Sequence, residues 1–472
     1  MASLNNMFKS SLTLQDSEGV PIHLFVLVGH VELVEEAIEA KVDVNLKCSE
    51  SGETPLHLAT LLNNKQIAET LIKNGANINI QCSKLQTPLH KAVKHGNEEI
   101  VQLLLSNGAN PSLKDITNYA PIHYATNINS QSIVLDLIKH GANVNAKDIN
   151  GATALHYAIY ESFINIAELL LNNGAKIDEK DTKGRTALYI CATDHKSKET
   201  VQFLIDQGAN VDATSNEGDT SLNIAIAKGN TEMVQVLVDN KADVNMKRFP
   251  PLIEAAYFNE AKIISILLKS GANIEATDSE LRTSLHIAVK RNHVEIVHLL
   301  LKNGANPDSK MHHGAVSLHL AIVSNEIDIA KLLIDYGADI NAQDDEGNSV
   351  LSVAARNENH EGLHLLLANR ALSELKDQNG VTPLQFAVGY NMKKNVDILI
   401  KNGADVNAKD NFHHTCLHGA FQLGLHDISL LLLRAGASMF AKDYYENNIP
   451  LEHGLMFNNL DSFKVAINFS HI

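Results

Sequence analysis

Apolar residues in this chain come in pairs of short runs, and the pair recurs. In "TPLHKAVKHGNEEIVQLLLSNGANP", from Thr87, the residues Leu89, Ala92 and Val93 fall on one face at helical spacing. Gly96 and Asn97 then break the pattern, and Ile100, Val101, Leu104 and Leu105 resume it. Thr87 is suited to cap the first helix, its hydroxyl accepting from open backbone amides, and Pro88 stands at the first helical position, where its missing N–H costs nothing. Glu98 and Glu99 favour the start of the second helix, and Gly108 supplies the left-handed residue that ends it. The next stretch, "ANPSLKDITNY", is polar and turn-rich. The spacing therefore predicts a unit of helix, turn, helix and extended finger.

The same unit recurs with anchors at Val20, Thr54, Thr87, Ala120, Thr153, Thr186, Thr220, Pro250, Thr283, Val316, Ser349, Thr382, Thr415 and Ile449. The interval is 33 residues nearly throughout, 34 three times, and 30 once, between Thr220 and Pro250. About fourteen units fill residues 16–472, after a tail of residues 1–15. One such unit cannot bury its apolar face alone, so neighbours must stack and share a core. The expectation is a single continuous all-α solenoid, its last unit acting as a C-terminal cap.

The motifs "TPLH" at residues 54–57 and 87–90, and "GADVNAKD" at residues 403–410, make the unit resemble the ankyrin repeat over essentially the whole chain. The resemblance implies β-hairpin fingers and a concave face of fingers and first helices that grips partner proteins. It implies that His23, His57, His90, His123, His156, His286, His319 and His418 hydrogen-bond backbone between adjacent repeats. It makes Asp148, Asp344, Asp377 and Asp410 turn-supporting residues. It also makes Asn45, Asn79, Asn145, Asn245, Asn341 and Asn407 candidates for hydroxylation by a 2-oxoglutarate-dependent asparaginyl hydroxylase, where the host has one.

Composition narrows the partner. A formal charge of −16 argues against nucleic acid, because phosphate neutralisation needs Lys and Arg gathered on one face. Cys48, Cys82, Cys191 and Cys416 are widely spaced and form no CxxC pair, so they read as free thiols in a reducing, cytoplasmic setting. The N-terminus has no apolar signal core, and no segment approaches the length of a membrane span, so the leucine runs of the second helices read as stacking surfaces.

Chemistry is sparse. No phosphate loop, GxSxG elbow or HExxH helix is present, which argues against an enzyme and against a cofactor. The pairs His312-His313 and His413-His414 fall on finger tips, where a metal would need a third and fourth ligand, and none lies nearby in sequence. They read as solvated or partner-facing.

Specificity must lie in exposed residues that depart from the repeat. The contracted eighth unit gathers Met246, Lys247, Arg248 and Phe249 in its finger and Tyr257 and Phe258 at the end of its first helix. The ninth adds Arg282, Lys290 and Arg291, the tenth His312 and His313, and the twelfth and thirteenth Tyr390, Phe412, His413 and His414. Aromatic and Arg side chains are enriched in interface hot spots, and this chain has no Trp and few other aromatics. These residues form the predicted partner-binding surface, centred on the eighth and ninth units and suited to an acidic or amphipathic protein segment. The competing reading has Phe249 and Tyr257 folding back over core exposed by the short finger. The function predicted is a non-catalytic scaffold or adaptor. Two alternatives share the fold: the arm of a larger channel or latrotoxin-like toxin, and a host-directed effector of a symbiont, pathogen or virus.

Overall fold

The computed structural model describes residues 22–193, 198–444, 447–459, 464, 465 and 467. The N-terminal tail falls outside them, as do Phe463 and Phe469 of the last unit, whose Phe457 is exposed. The described residues form 27 α-helices, in pairs of about seven and nine residues, with a single isolated bridge between Gln343 and Ser349 and no strand. None of these helices is long and apolar enough to cross a membrane.

Each unit forms as its pattern requires. The helices Pro88–Lys94 and Glu98–Ser106 bury Leu89, Ala92, Val93, Ile100, Val101, Leu104 and Leu105, the residues that carry the period. Within each compact unit first helices pack on first helices of the next repeat and second helices mostly on second, so each core is a strip of Leu, Ile, Val and Ala. A fully buried Leu in such a strip contributes about 2 kcal/mol by transfer from water. The chain divides into two compact units, residues 1–242 and 243–472, and the division falls at the contraction.

The Thr–His pair does more than cap. His90 Nδ1 accepts from the Thr87 amide at 3.1 Å, which leaves the proton on Nε2, and Nε2 donates to the Tyr119 carbonyl in the next finger at 3.2 Å. The same bridge runs from His23 to Glu53, His57 to Gln86, His156 to Arg185, His319 to Asn348 and His418 to Asn448, while His123 reaches the Ala146 carbonyl earlier in the next finger. His286 keeps the Thr283 amide, but its Nε2 reaches no hydrogen-bond partner. Where the chain places Gln385 instead, Oε1 accepts from the Thr382 amide and Nε2 donates to the His414 carbonyl, reproducing both bonds. Burial pushes the imidazoles of His57, His90 and His418 down to about 4, so they are neutral at pH 7.

The fingers are narrower than the expected β-hairpins. Asp148 Oδ1 accepts from the amides of Asn150 and Ala152, and backbone bonds between Asp148 and Ala152 close the turn before a ladder can extend. Asp344, Asp377 and Asp410 fold their turns the same way, so each carboxylate is occupied with its own loop. Adjacent tips are joined by single backbone rungs. In the first compact unit these run from Ser83 N–H on Ser51 C=O to Asn216 N–H on Lys183 C=O; in the second, from His312 N–H on Glu280 C=O to Tyr444 N–H on Phe412 C=O.

Candidate functional site

The eighth unit lacks this machinery, and the aligned residues show why. Arg248 stands where Asp148, Asp377 and Asp410 fold the finger turn, and a guanidinium cannot accept amide hydrogen bonds. Lys247 stands where Lys147 and Lys409 donate to the next finger's carbonyls, at 2.8 and 3.0 Å from Lys180 and Lys442. Among the described residues the Lys247 ammonium makes no such bond, and no backbone rung links residues 246–250 to 278–282. Residues 247–249 form an open bend, and Lys247 and Arg248 are exposed.

The first helix nevertheless forms over Pro251–Tyr257, with Pro250 in extended conformation before it and Pro251 at the first helical position. Ile253 occupies the place of the bridging histidine and is buried. At the helix end Tyr257 and Phe258 are each 44 % exposed and meet edge to face, with ring centroids 5.1 Å apart. From the ninth unit Arg291 lays its guanidinium 3.6 Å from the centre of the Tyr257 ring. Lys290 beside it is exposed. Phe249 is half-buried, with the Arg248 guanidinium 5.6 Å from its ring centre. Of the two aromatic residues expected to cover core, Phe249 turns partly inward and Tyr257 stays at the surface.

The remaining predicted residues divide. Arg282 is held by Asp278 at 2.8 Å and Glu280 at 2.9 Å, as Arg185 is held by Asp181, so its guanidinium braces its own finger. Met246 is half-buried. His312 stitches its finger to the previous one, its Nε2 lying 3.2 Å from the Ser279 carbonyl, and His313 takes a left-handed backbone at the tip (φ 65°). Tyr390 is exposed, while Phe412, His413 and His414 form a second neighbourhood with Tyr444, apart from the eighth-unit residues along the chain. In that neighbourhood folding supplies what sequence proximity did not: His414 meets Asp443 and His453.

The six candidate asparagines share one structural duty. Asn245 Oδ1 accepts from the Asn273 amide at 2.7 Å and its Nδ2 donates to the Gly271 carbonyl at 3.1 Å, clamping one repeat to the next. Asn45, Asn79, Asn145 and Asn407 make the same pair of bonds, and Asn341 accepts from Leu372. None of the four cysteines forms a disulfide, and Cys82, Cys191 and Cys416 are buried.

Among its described residues the site around the contraction brings no nucleophile, base and acid within reach of one another; it offers exposed rings, exposed cations and an open bend in place of a finger. The family model described as ankyrin repeats (3 copies) matches residues 4–82, 22–115, 89–181, 173–248, 252–344 and 351–443. The ankyrin repeat domain of Bcl-3, described as a unique member of the IkappaB protein family, is similar at 32 % identity over 46 % of this chain and 100 % of that one, with a TM-score of 0.43. The helix pairs, the Thr–His bridges and the family matches along its length agree, and the chain belongs to the ankyrin-repeat family, whose members are generally non-catalytic protein-interaction modules.

Proposed function

We propose that this protein is a non-catalytic scaffold or adaptor, and that a partner protein docks on the eighth and ninth units. The observation that carries this reading is the stack of Arg291 on Tyr257 against Phe258, held at the surface where the finger that would flank it is not built. Large rings left in water next to cations are the composition of an interface hot spot. Lys247, Arg248, Lys290 and Arg291 make this stretch locally basic in a chain of net charge −16, so an acidic or amphipathic segment is the complementary ligand. Four cysteines held as thiols rather than as disulfides fit a reducing cytoplasm.

The test is affinity recovery from native cells with the chain carrying Lys247→Ala, Arg248→Ala and Phe258→Ala. The reading expects at least one partner, abundant with the unaltered chain, to fall by about tenfold, the loss typical of a hot-spot contact. Recovery of every partner at the unaltered level removes the proposed surface.

A further inference from the structure

The last units carry a histidine that the scaffold does not explain. In the fourth and fifth units the residue after the bridging histidine is a tyrosine, and its hydroxyl donates to the finger carboxylate: Tyr124 to Asp115 at 2.6 Å and Tyr157 to Asp148 at 2.7 Å. His453 stands at this place in the last unit, with Nε2 2.9 Å from Asp443 Oδ2. The residue is 8 % exposed, and its Nδ1 is buried without any hydrogen-bond partner. A phenol needs one bond here, whereas an imidazole has a second ring nitrogen that this packing leaves unsatisfied.

Around it, residues distant in sequence converge. His414 comes from the thirteenth finger, Asp443 from the fourteenth, and His453 from the helix Pro450–Met456. One ligand atom from each lies within 4.8 Å of the other two. The rings of His414 and His453 meet at 5.0 Å between centroids. Asp410 Oδ2 stands 3.5 Å from His414 Nδ1, the place of a carboxylate that orients a ligating imidazole. His418 packs against both rings, but its nitrogens are taken by the Thr415 amide and the Asn448 carbonyl, so it lines the cluster without joining it. An open groove of about 270 Å³, lined in part by Gln385, Asp410 and His414, leads to His414 from solvent.

We propose that His414, Asp443 and His453 form a binding site for one divalent ion of the zinc class. Two imidazoles and a carboxylate are a three-ligand set that zinc accepts, with water completing the shell, whereas magnesium and calcium take oxygen ligands. At tetrahedral angles, metal–ligand bonds of about 2.1 Å place neighbouring ligand atoms about 3.4 Å apart. The His453–Asp443 pair stands at 2.9 Å, and the ion replaces the proton between them as the pair opens by about half an ångström. His414, with 33 % of its side chain exposed, closes the remaining distance by turning about its own side-chain bonds. The ion ties the last two fingers to the last described first helix, which makes it a clamp on the end of the array.

The site is tested on the full, tag-free chain, stripped with chelator and titrated with Co²⁺, whose four-coordinate complexes absorb strongly in the visible. The expected result is a band that saturates at about one equivalent and is displaced by Zn²⁺. His453→Tyr restores the phenol–carboxylate bond seen at Tyr157 and preserves the fold while removing a ligand; it abolishes the band. Asp443→Asn and His414→Ala weaken Co²⁺ binding by at least about tenfold, the usual scale for a lost contact at a metal. His312→Ala with His313→Ala leaves it unchanged. Absence of a saturable band in the unaltered chain, or an unchanged band in a folded His453→Tyr or His414→Ala chain, overturns the assignment.

Discussion

The finger at Asp148 and the bend at Arg248 start from the same position in the repeat and end differently. At Asp148 the carboxylate folds the turn and receives the Tyr157 hydroxyl, Lys147 reaches the Lys180 carbonyl, and the tip joins the next finger through Asn150. Nearly every polar group that looks available in the sequence is committed to the scaffold. At Arg248 the acceptor is replaced by a donor, three residues are missing, and the lysine and rings that remain are at the surface. Surface residues become available to a partner where their duties to the repeat lapse.

Several changes would sharpen the contrast, beginning with the largest. Acidification should unfold regular units through their bridging histidines. His57, His90 and His418 have folded pKa values near 4 against 6.5 unperturbed, so the folded form binds fewer protons; stability is complete above about pH 6.5 and lost as pH falls toward 4. Each fully protected histidine is worth about 3 kcal/mol across that window. His57→Gln with His90→Gln, copying the geometry of Gln385, should flatten the fall of the urea midpoint between pH 6.5 and 4. An unchanged slope would mean that other groups govern it. Next, Asp148→Ala removes the acceptor of two backbone amides and the partner of the Tyr157 hydroxyl and should cost about 2–3 kcal/mol in urea unfolding. Lys247→Ala and Arg248→Ala, at the matching positions of the contraction, should each stay within about 0.5 kcal/mol. Equal losses at the two places would erase the distinction. A small effect of opposite sign is expected at Lys241, which holds a left-handed backbone (φ 67°) where the other units mostly place glycine. Lys241→Gly should raise stability by about 0.5–1 kcal/mol, read as a shift in melting temperature.

The repeat, the helix pairs and the buried strip were legible in the sequence because each depends on local spacing, and the bridging histidines were legible through the resemblance to the ankyrin repeat. The contraction was legible as a deletion, and Tyr257 and Phe258 as its exposed aromatics. The Arg291 stack was not, because it joins helix ends of successive units. Arg282 looked like its neighbours, yet Asp278 and Glu280, both visible in sequence, hold it within its own finger. The position of Arg248 under the turn-forming aspartates could have been read by aligning the fingers rather than the helices. The meeting of His414, Asp443 and His453 could not, since its members lie in two fingers and a helix that only packing brings together.

The central claim is that the contraction binds a partner protein rather than merely tolerating a short finger. It is tested most directly by quantitative mass spectrometry of proteins recovered from native cells on three chains: the unaltered chain, one with Lys247→Ala, Arg248→Ala and Phe258→Ala, and one with Lys183→Ala and Arg185→Ala on a regular finger. The account predicts that one or more partners fall about tenfold on the contraction variant alone, while all three chains keep their helical signal. Equal recovery from the contraction variant and the unaltered chain would contradict it.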